Sequence, residues 1–180
     1  MIKMIVVATE VCKTDKQILS KIYNELEKIT IPTTFRNLNV MKGHYHSERT
    51  GCFDQKGARQ TCFGQTRWQG RYIESKSSRK NPHMMSLFKE FIDSHYPEFA
   101  FRSVYVNKNT VCKKHLDSQN TGESLLVGFG DYTGGETTLH DNRGSQSFDI
   151  SKESIIFDGS VIYHNSEPFE GTRYSLVFFN

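Results

Sequence analysis

Apolar positions follow one period in the first half of the chain and another in the second. Ile18, Leu19, Ile22, Tyr23, Leu26 and Ile29 recur at helical spacing, which predicts an amphipathic helix over residues 14–29. A capping box at Thr14-Asp15-Lys16-Gln17 opens it and Pro32 bars its continuation. Asn81-Pro82 reads as N-cap and first position of a second helix, with Met84, Met85, Leu87, Phe88, Phe91 and Ile92 on its buried face and its end near His95. Ahead of both, the apolar run 1–8 reads as a buried strand, too short for a signal peptide or a membrane span. From Ala100 the pattern changes to short strands parted by turn residues: 100–107, 111–116, 124–130, 136–140, 147–150, 154–157, 160–165 and 173–179. Two helices followed by eight short strands predict an α+β, mainly β fold, a double-stranded β-helix (jelly roll) with buttressing helices.

Between the helices, residues 42–80 hold five glycines and no sustained period, and are expected to form a long irregular excursion with one hairpin. At 180 residues the chain reads as one domain, with an N-terminal part over 1–99 and the β-helix core over 100–180. An apolar fraction of 36% with 12% aromatic residues argues for a packed core rather than a disordered chain. The formal net charge of +3 says little, but its distribution is uneven. Nine Lys/Arg against three acids give residues 42–80 a charge of +6. Cys12, Cys52, Cys62 and Cys112 show neither CxxC spacing nor a dense framework, and read as reduced thiols of an intracellular protein of cytoplasm or nucleus. His44-Tyr45-His46 lacks a third ligand at suitable spacing and reads as a surface pair.

Candidate chemistry concentrates in the second half. Side chains alternate along a strand, so His115 and Asp117 share a face while Leu116 points away. His164, 47 positions after the aspartate, lies on another expected strand. Two imidazoles and one carboxylate form the facial triad of non-haem Fe(II), which leaves three coordination positions open. Arg173 and Ser175 also stand two apart, and a guanidinium fork beside a hydroxyl suits the far carboxylate of a diacid co-substrate. Tyr105 could add a phenolic hydrogen bond from a neighbouring strand. A carboxylate at Asp117, rather than a small residue that admits a halide to the metal, favours hydroxylation over halogenation.

These residues resemble the 2-oxoglutarate/Fe(II)-dependent dioxygenase superfamily over roughly residues 100–180. Within it, the stretch from Asn107 through His115-Leu116-Asp117 to Asn120 and Gly122 is similar to the TET/JBP branch. Gly128-Phe129-Gly130-Asp131-Tyr132-Thr133-Gly134-Gly135-Glu136 and Phe169-Glu170-Gly171-Thr172-Arg173-Tyr174-Ser175-Leu176 share that likeness. The resemblance implies Fe(II) on His115, Asp117 and His164, and 2-oxoglutarate chelating the metal with its distal carboxylate on Arg173 and Ser175. It further implies dioxygen as co-substrate, succinate as product, and oxidation of the 5-methyl group of 5-methylcytosine or thymine in nucleic acid. Asn120 matches the position from which such enzymes address a flipped base.

Flipping a base calls for phosphate contacts and an aromatic surface. Residues 42–80 interleave their cations with Tyr45, Phe53, Phe63, Trp68 and Tyr72, so Arg67, Trp68 and Arg71 are expected to touch a nucleic acid, DNA more than RNA. The alternative is a protein hydroxylase of prolyl type, which Gly134-Gly135-Glu136-Thr137 and the nine-residue step from His164 to Arg173 also resemble. A non-catalytic jelly-roll binding module is the third reading, and the full set of metal and co-substrate residues argues against it.

Overall fold

The computed structural model describes residues 6–32, 58–117 and 120–180, the backbone of 52–53, and Trp68 by its backbone alone. The cations Lys42, Arg49 and Lys56 and the His44-Tyr45-His46 pair lie outside the described residues. In chain order the elements are β1 (Val7–Glu10), α1 (Lys13–Glu27), β2 (Cys52–Phe53), β3 (Arg59–Trp68), β4 (Arg71–Glu74), α2 (Lys76–Lys80) and α3 (His83–His95). Then follow β5 (Ser103–Lys108), β6 (Val111–Cys112), β7 (Ser124–Gly134), β8 (Thr137–Asp141), β9 (Gly144–Phe148), β10 (Glu153–Phe157), β11 (Tyr163–Ser166) and β12 (Phe169–Phe179).

A seven-stranded sheet in the order β1-β10-β7-β12-β5-β3-β4 faces a smaller one, β11-β8-β9, and β2-β6 form a ribbon. An antiparallel bridge between His115 and His164 ties the chain after β6 to β11. The result is a double-stranded β-helix, and each strand expected after residue 100 is there in whole or in part.

Period-2 alternation on the large sheet feeds two cores. Val104, Val106, Leu125, Val127, Leu176 and Phe178 point outward onto Ile18, Ile22 and Leu26 of α1 and Met84, Phe88 and Phe91 of α3. Leu126 and Ile155 point inward and meet Leu139, Phe148 and Ile150 between the sheets. Burying one such side chain contributes roughly 1.5–3 kcal/mol. The helices are pinned by polar ties as well. Tyr174 donates its hydroxyl to Glu27 at 2.6 Å, which also takes Lys108 at 2.7 Å. Asp15 accepts from Cys12 N at 3.0 Å and Ser94 Oγ at 3.1 Å, and its carboxylate meets His95 Nδ1 at 2.9 Å. His95 Nε2 in turn meets Ser154 Oγ of β10 at 2.6 Å.

Four departures from the sequence reading have physical causes. Helix α1 starts at Lys13 with Cys12 as N-cap, because the Asp15 carboxylate reaches back to the Cys12 amide; the box is not built on Thr14. Strand β1 is an edge strand on β10 and mostly exposed, where a buried strand over 1–8 is expected, of which residues 1–5 lie outside the described residues. Residues 58–80 are not irregular: β3 adds to the large sheet beside β5, turns back as β4, and leads into α2. Strands β7 and β12 each run 11 residues, four beyond the expected 124–130 and four before the expected 173–179. At Gly130 (φ +122°) and Gly171 (φ +105°) the facing carbonyls of Thr172 and Asp131 come so close that a Cβ would lie 2.3 and 2.2 Å from them. Glycine there lets the ladder continue instead of ending it.

Candidate active site

His115 and His164 are directly opposed across their strands. His115 N donates to His164 O at 2.9 Å, and His164 N donates to His115 O at 3.0 Å. Such a pair puts both imidazoles on one face, and Asp117, two residues along, joins them there. Asp117 N donates to Gly159 O at 2.8 Å, which fixes the third arm. One ligand atom from each of His115, Asp117 and His164 lies within 4.8 Å of the others. His115 Nε2 is 3.6 Å from Asp117 Oδ1 and His164 Nε2 is 3.5 Å from Oδ2.

The other ring nitrogens orient the rings. His115 Nδ1 sits 2.6 Å from Lys113 O and His164 Nδ1 3.0 Å from Ile162 O. A carbonyl only accepts, so each Nδ1 donates to it, which turns each Nε2 toward Asp117 as the ring atom a metal would take. Phe157 packs edge-on against His164 at 5.1 Å and shields that side. Burial alone would raise the Asp117 carboxyl's pKa, but the two imidazoles outweigh it and hold that group well below the usual carboxylate range. Asp117 is therefore an anion at neutral pH. Two imidazole nitrogens and one carboxylate oxygen suit a divalent first-row cation with positions to spare.

On the inner face of the large sheet lies Arg173, 3% exposed. The register sets Arg173 against Gly130, Ser175 against Gly128 and Gly171 against Tyr132, so Gly128, Gly130 and Tyr132 share the face of Arg173 and Ser175. The guanidinium lies 5.6 Å from the Tyr132 ring centre and 5.7 Å from that of Phe169. Arg173 Nε and the Tyr132 hydroxyl are both buried without a hydrogen-bond partner among the described residues. Burial lowers the Arg173 pKa from its ordinary value and raises that of the Tyr132 phenol. A cation and a neutral phenol thus face the same space, both able to donate to an anion. A Cβ at Gly135 would sit 2.8 Å from Arg173 Nε, and one at Gly128 2.5 Å from the Tyr132 hydroxyl, so these two glycines make room for both groups. Ser175 accepts from Asn107 Nδ2 at 3.3 Å, and Asn107 Oδ1 accepts from Gln60 at 2.7 Å.

Tyr132 and Asn107 enter the sequence reading only inside motifs, with no role at the site, and Gln60 does not figure in it. The signal for Tyr132 is the alternation Gly128, Gly130, Tyr132, which marks a hollowed face only once the register with Arg173 is known. Tyr105 shares the inner face but pairs with Val177, two places beyond Ser175, and its ring is 43% exposed and stacked on Phe179.

The registers also define the mouth. Phe157 pairs with Ser124, Phe179 with Ser103, and Ser103 with Gly64, so these residues form a row at the end of the sheet where Phe157 touches His164. Asn120 closes a turn onto Asp117 O at 2.9 Å and reaches Ser124 Oγ with its amide at 3.4 Å, at that same end. Past Gly64 the β3–β4 hairpin continues, carrying Arg67 and Arg71 exposed, with Trp68 opposite Arg71.

No protein-family model and no curated protein matches the sequence. Among solved structures, NgTET1 in complex with 5mC DNA aligns with 97% of this chain and 71% of its own, with a TM-score of 0.62 and 12% identity. A Pseudomonas putida prolyl-4-hydroxylase aligns with 97% of this chain and 91% of its own (TM-score 0.55, 10% identity). A Trichoplax adhaerens prolyl hydroxylase, in complex with a hypoxia inducible factor peptide fragment, aligns with 98% and 82% (TM-score 0.53, 11% identity). At such low identity these likenesses concern the fold, and the chain shares its double-stranded β-helix with NgTET1 and the prolyl hydroxylases.

Proposed function

We propose that the protein is an Fe(II)- and 2-oxoglutarate-dependent dioxygenase that hydroxylates the 5-methyl group of a pyrimidine, 5-methylcytosine or thymine, in nucleic acid. The observation that carries this reading is the occurrence of two features between the facing sheets: a His–Asp–His convergence on the small-sheet side and, on the large sheet, a buried arginine with an unsatisfied donor. His115, Asp117 and His164 would hold the iron, which when bound supplies the chemistry that couples oxygen and a 2-keto acid to hydroxylation of an unactivated methyl group.

The chain's own residues do the rest. Asp117 gives the site its one negative charge, and the Lys113 and Ile162 carbonyls orient both imidazoles. Arg173, Tyr132 and Ser175 bind the distal carboxylate of 2-oxoglutarate by charge-assisted hydrogen bonds. Gly128 and Gly135 keep that hollow open. Asn120, at the mouth, is placed to meet a base edge, Tyr105 lines the same end, and Arg67, Trp68 and Arg71 lie on the hairpin that continues past it.

The test is mass spectrometry of nucleosides from methylated and unmethylated oligonucleotides, DNA and RNA, after incubation with Fe(II) and 2-oxoglutarate. Hydroxymethylated pyrimidine with matching succinate is expected. Absence of product across 5-methylcytosine and thymine substrates, from protein that binds both iron and 2-oxoglutarate, would rule the substrate out. A second reading, a prolyl-type protein hydroxylase, draws on the two prolyl hydroxylase likenesses, one of them holding a peptide. Oxidation of a peptide library without oligonucleotide turnover would favour it.

A further inference from the structure

At the mouth, the hairpin β3–β4, helix α2 and Arg102 carry a cluster of exposed cations. Lys21, Lys89, Lys108, Arg143 and Lys152 each pair with a carboxylate at 3.3 Å or less. Arg67, Arg71, Lys76, Arg79, Lys80 and Arg102 are all exposed and have no ion-pair partner among the described residues, and Glu74 is the one acid within that hairpin and helix. They are held together locally. Ser75 N donates to Gly64 O at 2.8 Å and Gly64 N to Ser78 Oγ at 2.7 Å, which docks α2 against the root of the hairpin. Arg102 lies 4.2 Å over the ring of Tyr72, whose own surface is 52% exposed, and Tyr72 pairs with Arg67 across the hairpin.

We infer that this arm is a phosphate-backbone track. It grips a polynucleotide beside the mouth whatever its methylation, and so presents a strand rather than a free nucleotide to the triad. Four of the six cations are arginines, whose planar forks suit phosphate oxygens, and a tyrosine face between guanidinium groups suits a base or sugar. This deepens the nucleic-acid reading and rests on it, but its test is binding and not turnover, so the two fail separately.

The experiment is fluorescence anisotropy of a labelled, unmethylated 24-base-pair DNA duplex with metal-free protein over a salt series. Wild-type protein is expected to bind, with log affinity falling steeply against log salt. In Arg71→Glu/Arg79→Glu/Arg102→Glu, affinity at low salt should fall at least about tenfold and the slope flatten by about 2–3, near 0.9 for each phosphate no longer neutralised. The control is Lys21→Glu/Lys89→Glu/Lys152→Glu, which makes the same change in net charge at ion-paired positions and should stay within about threefold of wild type. If the arm triple proves unfolded, Lys76→Glu/Lys80→Glu on α2 reads the same effect. Equal weakening in arm and control variants, no weakening in the arm variant, no duplex binding by wild-type protein, or equally effective competition by poly-glutamate at matched charge would each overturn the track.

Discussion

Two histidine–aspartate groupings lie among the described residues, and their chemistry diverges. In the first, His95 joins Asp15 and Ser154 through contacts of 2.9 and 2.6 Å, and Asp15 takes two further donors. The His95 and Asp15 side chains are 1% and 3% exposed. In the second, both imidazoles stand 3.5–3.6 Å from the Asp117 carboxylate, beyond a good hydrogen bond, and that carboxylate is 29% exposed. The first grouping is saturated and closed, and it bolts α1 and α3 to strand β10. The second is oriented from behind by backbone carbonyls and leaves its nitrogens aimed at a common point beside an open mouth. Residue type alone does not separate structure from chemistry here; the difference lies in which polar atoms already have a partner.

Substitutions should separate the two groupings by which property each one destroys. Asp117→Ala should abolish turnover and Fe(II) binding while leaving the thermal midpoint near wild type; a midpoint collapse would make the triad structural. Arg173→Ala should weaken 2-oxoglutarate binding about ten- to hundred-fold by calorimetry, from removal of a charge-assisted hydrogen bond of roughly 1.5–3 kcal/mol. His95→Ala should do the reverse of Asp117→Ala. It strands a buried carboxylate and should cost about 3 kcal/mol of stability, a drop in midpoint of about 6–12 °C, with the affinity for Fe(II) retained.

Tyr132→Phe removes one neutral donor and should raise the 2-oxoglutarate Kd about fivefold, with no change in iron affinity. The smallest expected effect is a pH one. Burial raises the Asp15 pKa, but hydrogen bonds from Cys12 and His95 carry it below the ordinary 3.8. A carboxyl depressed in the folded state adds stability above its unfolded value and loses it as pH falls through the folded one. Stability should therefore decline below about pH 4, and Asp15→Asn should flatten that acid limb in denaturant melts. An unchanged limb would mean that Asp15 contributes nothing to it.

The sequence was most readable where periodicity and chemistry coincide. Helices α1 and α3 follow from apolar spacing, and the strands after residue 100 from alternation and turn residues. Convergence of His115, Asp117 and His164 was foreseeable from the i, i+2 spacing, but their direct opposition was not, because a register between strands 49 positions apart is set by tertiary packing. The same limit hid Tyr132. The phenol singled out from sequence, Tyr105, lies toward the mouth, whereas register puts Tyr132 beside Arg173. Glycines misled most. The expected strands stop at Gly130 and begin only after Gly171, yet these two glycines allow the close backbone approach that makes β7 and β12 long. Residues 58–80 looked irregular because Gly64 and Gly70 interrupt the alternation of a hairpin that belongs to the sheet.

Everything proposed for the site turns on one ferrous ion and one 2-oxoglutarate sharing the space between the sheets. Anaerobic calorimetric titration of 2-oxoglutarate into the protein, with and without one equivalent of Fe(II), tests this most directly. The expected result is one tight site per chain that needs the metal, is abolished in Asp117→Ala, and is weakened in Arg173→Ala. Equal 2-oxoglutarate binding in the absence of iron, or iron binding unaffected by Asp117→Ala, would contradict it.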